Sequence, residues 1–282
     1  MKKLIITNLL AFLMLSTVAC SSTASPSDPT DEVIKTFDDV FLESETSSAL
    51  DLAESREEDV SAQYEIGDII LADGSVVKRA DFTSVDNSNL PIAVAAGFRE
   101  DGKAFGVGVH RSDAPLQWAA DDSVGYATNF MDTACTQKSE FAFLGDRDGS
   151  DNWEVICVQD NEDSVDAADN YPAFYFVNTY AERYHLSGDY AMGWYMPSIA
   201  ELCDIYQNRN AVNDSLQCIY RLDNQAAMNG LETNWYWSAS QAGKADDYAW
   251  FVHYYNGYAG ECPKNFTNVH ALAVHELIAP AF

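Results

Sequence analysis

Residues 193–209 read GWYMPSIAELCDIYQNR, and the fold is argued outward from this stretch. Trp194 to Met196 suit a short strand, and Pro197 ends it by removing a backbone donor. Ser198 stands where a helix N-cap belongs, with Glu201 three residues on. That S-x-x-E pattern is a capping box, in which each side chain bonds the other residue's backbone N–H. Ile199, Leu202, Ile205 and Tyr206 recur at helical spacing and predict one buried stripe. A second helix is expected over 210–222, with Val212, Leu216 and Ile219 turned inward.

Upstream, the period changes from helical to alternating. IGDIILADGSVV (66–77) reads as two strands around an Asp73-Gly74 turn. PIAVAAGFREDGKAFGVGVH (91–110) repeats the plan around Asp101-Gly102, and its small residues suit a strand packed closely against its neighbours. FAFLGDRDGSDNWEVICV (141–158) predicts a third hairpin, turning at Asp148-Gly149. NYPAFYFVNTYAERYHL (170–186) predicts a helix with Pro172 in its first turn and Phe174, Val177, Ala181 and Tyr184 on one face.

Downstream, NWYWSASQ (234–241) and AWFVHYYNG (249–257) are strands of large aromatics. Trp250, Val252 and Tyr254 fall on one face, and Phe251, His253 and Tyr255 on the other. Asn256-Gly257 is a turn signal. An irregular loop is expected through Cys262 and Pro263, then a closing strand in NVHALAVHEL (268–277). Strands, then helices, then strands predict an α+β fold with antiparallel sheets flanked by two or three helices.

The chain carries 44 acidic against 16 basic residues, a formal charge of −28, which excludes nucleic acid as a partner. The N-terminus is a separate matter. Lys2 and Lys3 precede the apolar run Leu4–Leu15, which is too short to span a membrane and reads as a signal segment over residues 1–19. Small residues lead to Cys20, in a context that resembles the lipobox of bacterial lipoproteins, although Thr17 replaces the usual leucine. Cys20 is therefore the expected lipidation site, and the membrane is a partner through that anchor. Residues 20–62 are rich in Ser, Thr, Asp and Glu and read as an acidic tether or as short helices packed on the domain. The folded domain is expected over 63–282. With Cys20 set aside, Cys135, Cys157, Cys203, Cys218 and Cys262 remain, an odd number. Cys135 and Cys157 could bracket one hairpin, but spacing does not fix the connectivity.

The motifs together carry a resemblance. GWYMPSIAEL, NWYWSASQ, AWFVHYYNG and ALAVHEL resemble a family of bacterial surface and exported proteins, a domain of unknown function also called the Fibrobacter major paralogous type. Its motif runs W-x-[LM]-P-[ST]-x-x-E-L, Y-W-S-[SA]-[ST] and a terminal V-R-x-V-R-x-F. The resemblance covers about residues 116–277. It implies a C-type lectin-like fold, in the branch shared with formylglycine-generating enzymes. His270, His275 and Leu277 stand where Arg, Arg and Phe are usual, so a salt-bridge role does not carry over. The chain is also similar to treponemal variable lipoproteins diversified by a retroelement, which display variable residues near the C-terminus as a ligand site. Residues 242–265 are rich in side chains that adenine-directed change of Asn codons yields, but Lys244, Glu261 and Lys264 cannot arise that way.

These readings converge on the loops around the last hairpin. Lys244, Asp246, Asp247, Tyr248, Tyr255, Tyr258, Glu261, Lys264 and Asn265 are the expected ligand-binding residues, because tyrosine offers large, stiff, amphipathic contact. The expected ligand is an extracellular protein or glycan, and the expected location is the outer membrane or cell surface. Trp235, Trp237 and Trp250 are assigned to the core. Asp146, Asp148 and Asp151 place Gly149 too early for an EF-hand and are read as a turn rather than a metal site. No hydrolase, metalloprotease or phosphate-loop motif is present. His253 and Cys262 could be drawn as base and nucleophile. The chain is therefore expected not to be an enzyme and to need no cofactor.

Overall fold

The computed structural model describes residues 64–231 and 233–278. The signal segment, Cys20 and the tether over 20–62 lie outside the described residues. Two sheets organise the domain. The first contains β1 (Ile69–Leu71), β2 (Val76–Val77), β3 (Pro91–Phe98), β4 (Ala104–Arg111), β7 (Trp194–Tyr195) and β11 (Leu272–Glu276), in the order β2-β1-β3-β4-β11-β7. The second contains β5 (Ala134–Ser139), β6 (Ala142–Gly145), β8 (Trp235–Ala242), β9 (Tyr248–His253) and β10 (Tyr258–Pro263), in the order β10-β9-β8-β5-β6. All named pairs are antiparallel except β5 with β8, which run parallel where Ala134 and Cys135 face Gln241 and Ala242. The architecture is α+β, with no closed barrel among the described residues.

The α-helices among the described residues are α1 (Asn152–Gln159), α2 (Ala167–Asn170), α3 (Pro172–Asn178), α4 (Tyr180–Arg183), α5 (Ile199–Gln207) and α6 (Arg209–Leu222). Ala93 and Ala95 of β3 join a core with Trp118, Phe174, Tyr180, Trp194, Trp237 and Phe251. Val94 and Ala96 join the opposite core, with Leu202, Val212, Leu216, Trp250 and Val252. Burial on both faces explains why β3 reads as a continuous small and branched run.

The capping box forms: Ser198 Oγ accepts from Glu201 N, and Glu201 accepts from Ser198 N. Such a cap is worth about 1 kcal/mol. Glu201 is buried and also accepts from Tyr195 Oη at 2.8 Å and Gly149 N at 3.0 Å, so one carboxylate ties α5 to β7 and to the 146–149 loop. A Cβ at Gly149 would lie 2.3 Å from Met196 O, so only glycine permits this approach.

Three element assignments are corrected, and so is one disulfide pairing. The second strand of the third hairpin is α1 instead: Asn152 Nδ2 bonds Asp146 Oδ2, Ile156 is fully buried, and Trp153 stacks on Phe174 at 5.3 Å. The loop expected through Cys262 is strand β10, paired with β9 from Tyr258↔His253 to Pro263↔Tyr248. The helix after Pro172 is broken at Thr179 into α3 and α4. Cys135 on β5 and Cys157 on α1 are free thiols, so the bridge weighed for them does not form. His270 and His275 are buried, and their ring nitrogens meet Ser112 O and Met192 O.

Candidate functional site

Strand alternation decides which expected site residues share a surface. Pairing sets Trp235 opposite His253, His253 opposite Tyr258, and Gly260 opposite Phe251. Trp235, Phe251, His253 and Tyr258 therefore occupy one face of the second sheet at the hairpin end. Their rings form a continuous array. Trp235 stacks on Phe251 at 4.8 Å and meets His253 at 5.1 Å and Phe266 at 6.0 Å. Tyr258 meets Phe251 edge-on at 6.0 Å, and Tyr255 lies 6.0 Å from His253. Gly260 makes room for this, because a Cβ there would lie 2.4 Å from the Tyr258 ring.

The outer members of the array face solvent: Tyr255 is 75% exposed, Tyr258 59% and Phe266 37%. Trp235 and His253 are half-buried and Phe251 is buried. The array is thus anchored from below and open above. Stiff aromatic side chains offer large contact at low entropic cost, which suits the apolar face of a sugar ring or a protein side chain.

The other expected residues separate from it. Lys244 and Asp246 are exposed, and Asp247 and Tyr248 are half-buried, at the far end of β9. That end lies about 17 Å from His253 at roughly 3.3–3.4 Å per residue. It forms a second, acidic patch with Tyr126, whose phenol is raised by burial and by the charges of Asp247 and Asp121. Glu261 pairs with Trp250 and so points to the opposite face of the sheet from Tyr258. Asn265 is half-buried, and its carbonyl accepts from Gln117 Nε2 at 3.0 Å.

Lys264 is corrected outright. Expected on an exposed loop, it is fully buried. Its Nζ donates to Gly125 O at 2.7 Å and Thr128 O at 2.9 Å, and sits over Trp118 at 4.7 Å and Phe130 at 5.2 Å. Burial pushes its pKa down to about 7, against the opposing pull of Asp246 and Asp247. It is an internal strut rather than a ligand contact.

Trp237 and Trp250 are core residues as expected, whereas half-buried Trp235 belongs to the array. Sequence reasoning also passed over Phe251, His253 and Phe266. The signal for the first two lay in the alternation of β9, once its pairing with Trp235 is known. Phe266 follows the unpredicted end of β10 and had no local signal. His253 and Cys262 fall at opposite ends of the hairpin, opposite Tyr258 and Ala249, too far apart to act as base and nucleophile. Asp146 accepts from Asn152 and the Asp148 amide, which is turn chemistry, and Asp148 pairs with Arg99 at 2.8 Å. Among the described residues no group of three or more His, Cys, Asp or Glu is placed to hold a metal, and no helix is long and apolar enough to cross a membrane.

No protein-family profile matches the chain, and no curated protein matches it. Among solved structures it is similar to a fimbrial protein from Bacteroides ovatus, with a TM-score of 0.50 and 14% identity over 75% of this chain. The match covers 48% of that protein, so this chain spans about half its length. At this identity the likeness bears on the fold alone.

Proposed function

We propose that the chain is a surface protein, anchored by lipid on Cys20 at the outer membrane or cell surface. On this reading its C-type lectin-like scaffold binds an extracellular protein or glycan through the open aromatic face of β8, β9 and β10. The observation that carries the reading is the contiguous ring array with Tyr255 and Tyr258 exposed above buried Phe251. A soluble chain with a charge of −28 has no need to expose such a patch for its own stability. The fimbrial neighbour supports a surface setting. The clasp of β11 between β4 and β7, with Leu277 N bonded to Ala104 O, supports a scaffold tied together by that strand. Distance between His253 and Cys262 favours binding over catalysis. Retroelement diversification is the narrower form of the reading: Tyr255, Asn256 and Tyr258 are exposed, so changes at them would leave the buried core in place.

The test is a glycan, peptide and extracellular-matrix array probed with wild type and with a Tyr255→Ala/Tyr258→Ala double variant. The reading requires a hit that the double variant loses. Equal binding by both proteins removes the aromatic face from the function. A near-copy of codons 235–277 beside a reverse-transcriptase gene is required by diversification.

A further inference from the structure

A second concavity lies on the first sheet, away from the last hairpin. A cavity of about 200 Å³ opens between the start of β3, the end of β4 and the C-terminus of α4. The end of α4 builds one wall. His185 takes a left-handed conformation, φ 56°, with its N–H bonded to Glu182 O and the Leu186 N–H bonded to Ala181 O. This is a Schellman motif, which turns the chain back so that Leu186 joins the lining beside Ile92, Val109 and Ala226. An apolar cavity of about 150 Å³ is enough to hold a molecule of about six carbons. The space here therefore takes a short aliphatic chain, and it falls below the roughly 300–1,000 Å³ of drug-sized sites.

The lining carries charge of one sign. The chain has 44 acidic residues, yet among the described residues no Asp or Glu lines this cavity, and Arg183 is the one Lys or Arg that does. Arg183 is exposed, contacts the Phe176 ring at 5.4 Å and makes no ion pair with a described residue. His110 also lines the cavity and stacks on Tyr184 at 4.2 Å. Burial holds that imidazole neutral, with its pKa pushed down to about 4, so it leaves the sign at the mouth to Arg183. Asp113, whose charge is felt at His110 and Tyr184, is exposed and outside the lining, where solvent screens it. An apolar hole with one unpaired guanidinium at its rim matches an anion with a short apolar tail. Burial of the tail supplies affinity, and the guanidinium selects a carboxylate over an amide or an amine.

We propose that this cavity is a second binding site, for an aliphatic monocarboxylate of about four to six carbons. The tail fills the space between Ile92, Val109, Leu186 and Ala226, and the carboxylate pairs with Arg183 at the rim. The site is separate from the aromatic face and does not rest on the function assigned to that face.

Saturation-transfer NMR titration of the full chain with 3-methylbutanoate, 3-methylbutanamide, 3-methylbutylamine and acetate tests it. The amide and the amine keep the tail without the negative charge, and acetate keeps the charge without the tail. The branched acid is expected to bind with a Kd of about 1 mM or tighter, and the other three at least ~10-fold more weakly. Arg183→Gln should bring the acid down to the affinity of the amide. Ala226→Leu should fill the cavity and weaken the acid at least ~10-fold. Arg183 is exposed, so Arg183→Gln should melt near wild type and decides the matter even if the filling variant does not fold. No binding of the acid up to roughly 10 mM overturns the proposal. So does equal binding of the acid and any of the other three, or acid binding unchanged in Arg183→Gln. The Tyr255→Ala/Tyr258→Ala variant should bind the acid as wild type does, so failure here leaves the aromatic face untouched.

Discussion

The two ends of the β9–β10 hairpin invert the usual rule of charge outside and aromatics inside. Just past Pro263, which pairs with Tyr248, Lys264 is fully buried, its ammonium held by two carbonyls and two rings. Across the hairpin, where Tyr258 pairs with His253, the tyrosines stand 59% and 75% exposed. The difference lies in what covers each end. The 118–130 segment folds over the lysine, whereas above Tyr255 and Tyr258 no described element closes. One end of the hairpin is sealed and structural, and the other is open to solvent.

The largest expected effect breaks the sealed end. Lys264→Ala leaves a void and orphans the carbonyls of Gly125 and Thr128, and should cost about 3 kcal/mol or more by urea denaturation. A loss under about 1 kcal/mol would mean that the lysine carries no weight there. Gly125→Ala comes next. Its new Cβ would fall 1.8 Å from the Tyr171 hydroxyl, inside a packed region, at a cost of about 2 kcal/mol.

A pH series sharpens the comparison. Burial makes the folded chain release the Lys264 proton near pH 7, whereas the unfolded chain holds it to about 10.5. Between those values the unfolded state binds more protons, so this group makes stability rise with pH. Lys264→Met, of similar length, should flatten the rise in urea midpoint between about pH 7 and about pH 9. An unchanged slope contradicts the buried-amine account.

The smallest stability effect belongs to the open end. Gly260→Ala places a Cβ 2.4 Å from the Tyr258 ring, yet that ring faces solvent and can swing away. The expected change is under about 1 kcal/mol. A cost matching that of Gly125→Ala would show that Tyr258 is packed rather than presented.

Local chemistry made much of the scaffold legible in advance. Ser198 and Glu201 form their reciprocal bonds, and the turns at Asp73-Gly74 and Asp101-Gly102 place glycine at positive φ, 83° in each. Where tertiary contacts decide, local reading failed. WEVICV has strand-like composition, but Ile156 and Trp153 find their partners only as a helix. Gly260 and Pro263 read as breakers, but β10 is an edge strand, where proline at the end is tolerated. The burial of Lys264 depends on carbonyls 136 and 139 residues distant in sequence, which no local pattern announces. Tyr255 and Tyr258 were legible because a turn and an alternating strand suffice to place them. Glu261 was not separable from them until the register of β10 was known.

The most direct measurement takes the strongest ligand from the array and compares its Kd for wild type, Tyr255→Ala/Tyr258→Ala and Lys244→Ala/Asp246→Ala. The account predicts a loss of at least ~10-fold in the tyrosine variant, as expected for truncating central aromatic contacts, and less than about twofold in the other. Loss confined to Lys244→Ala/Asp246→Ala would place recognition at the acidic end of the hairpin and contradict it.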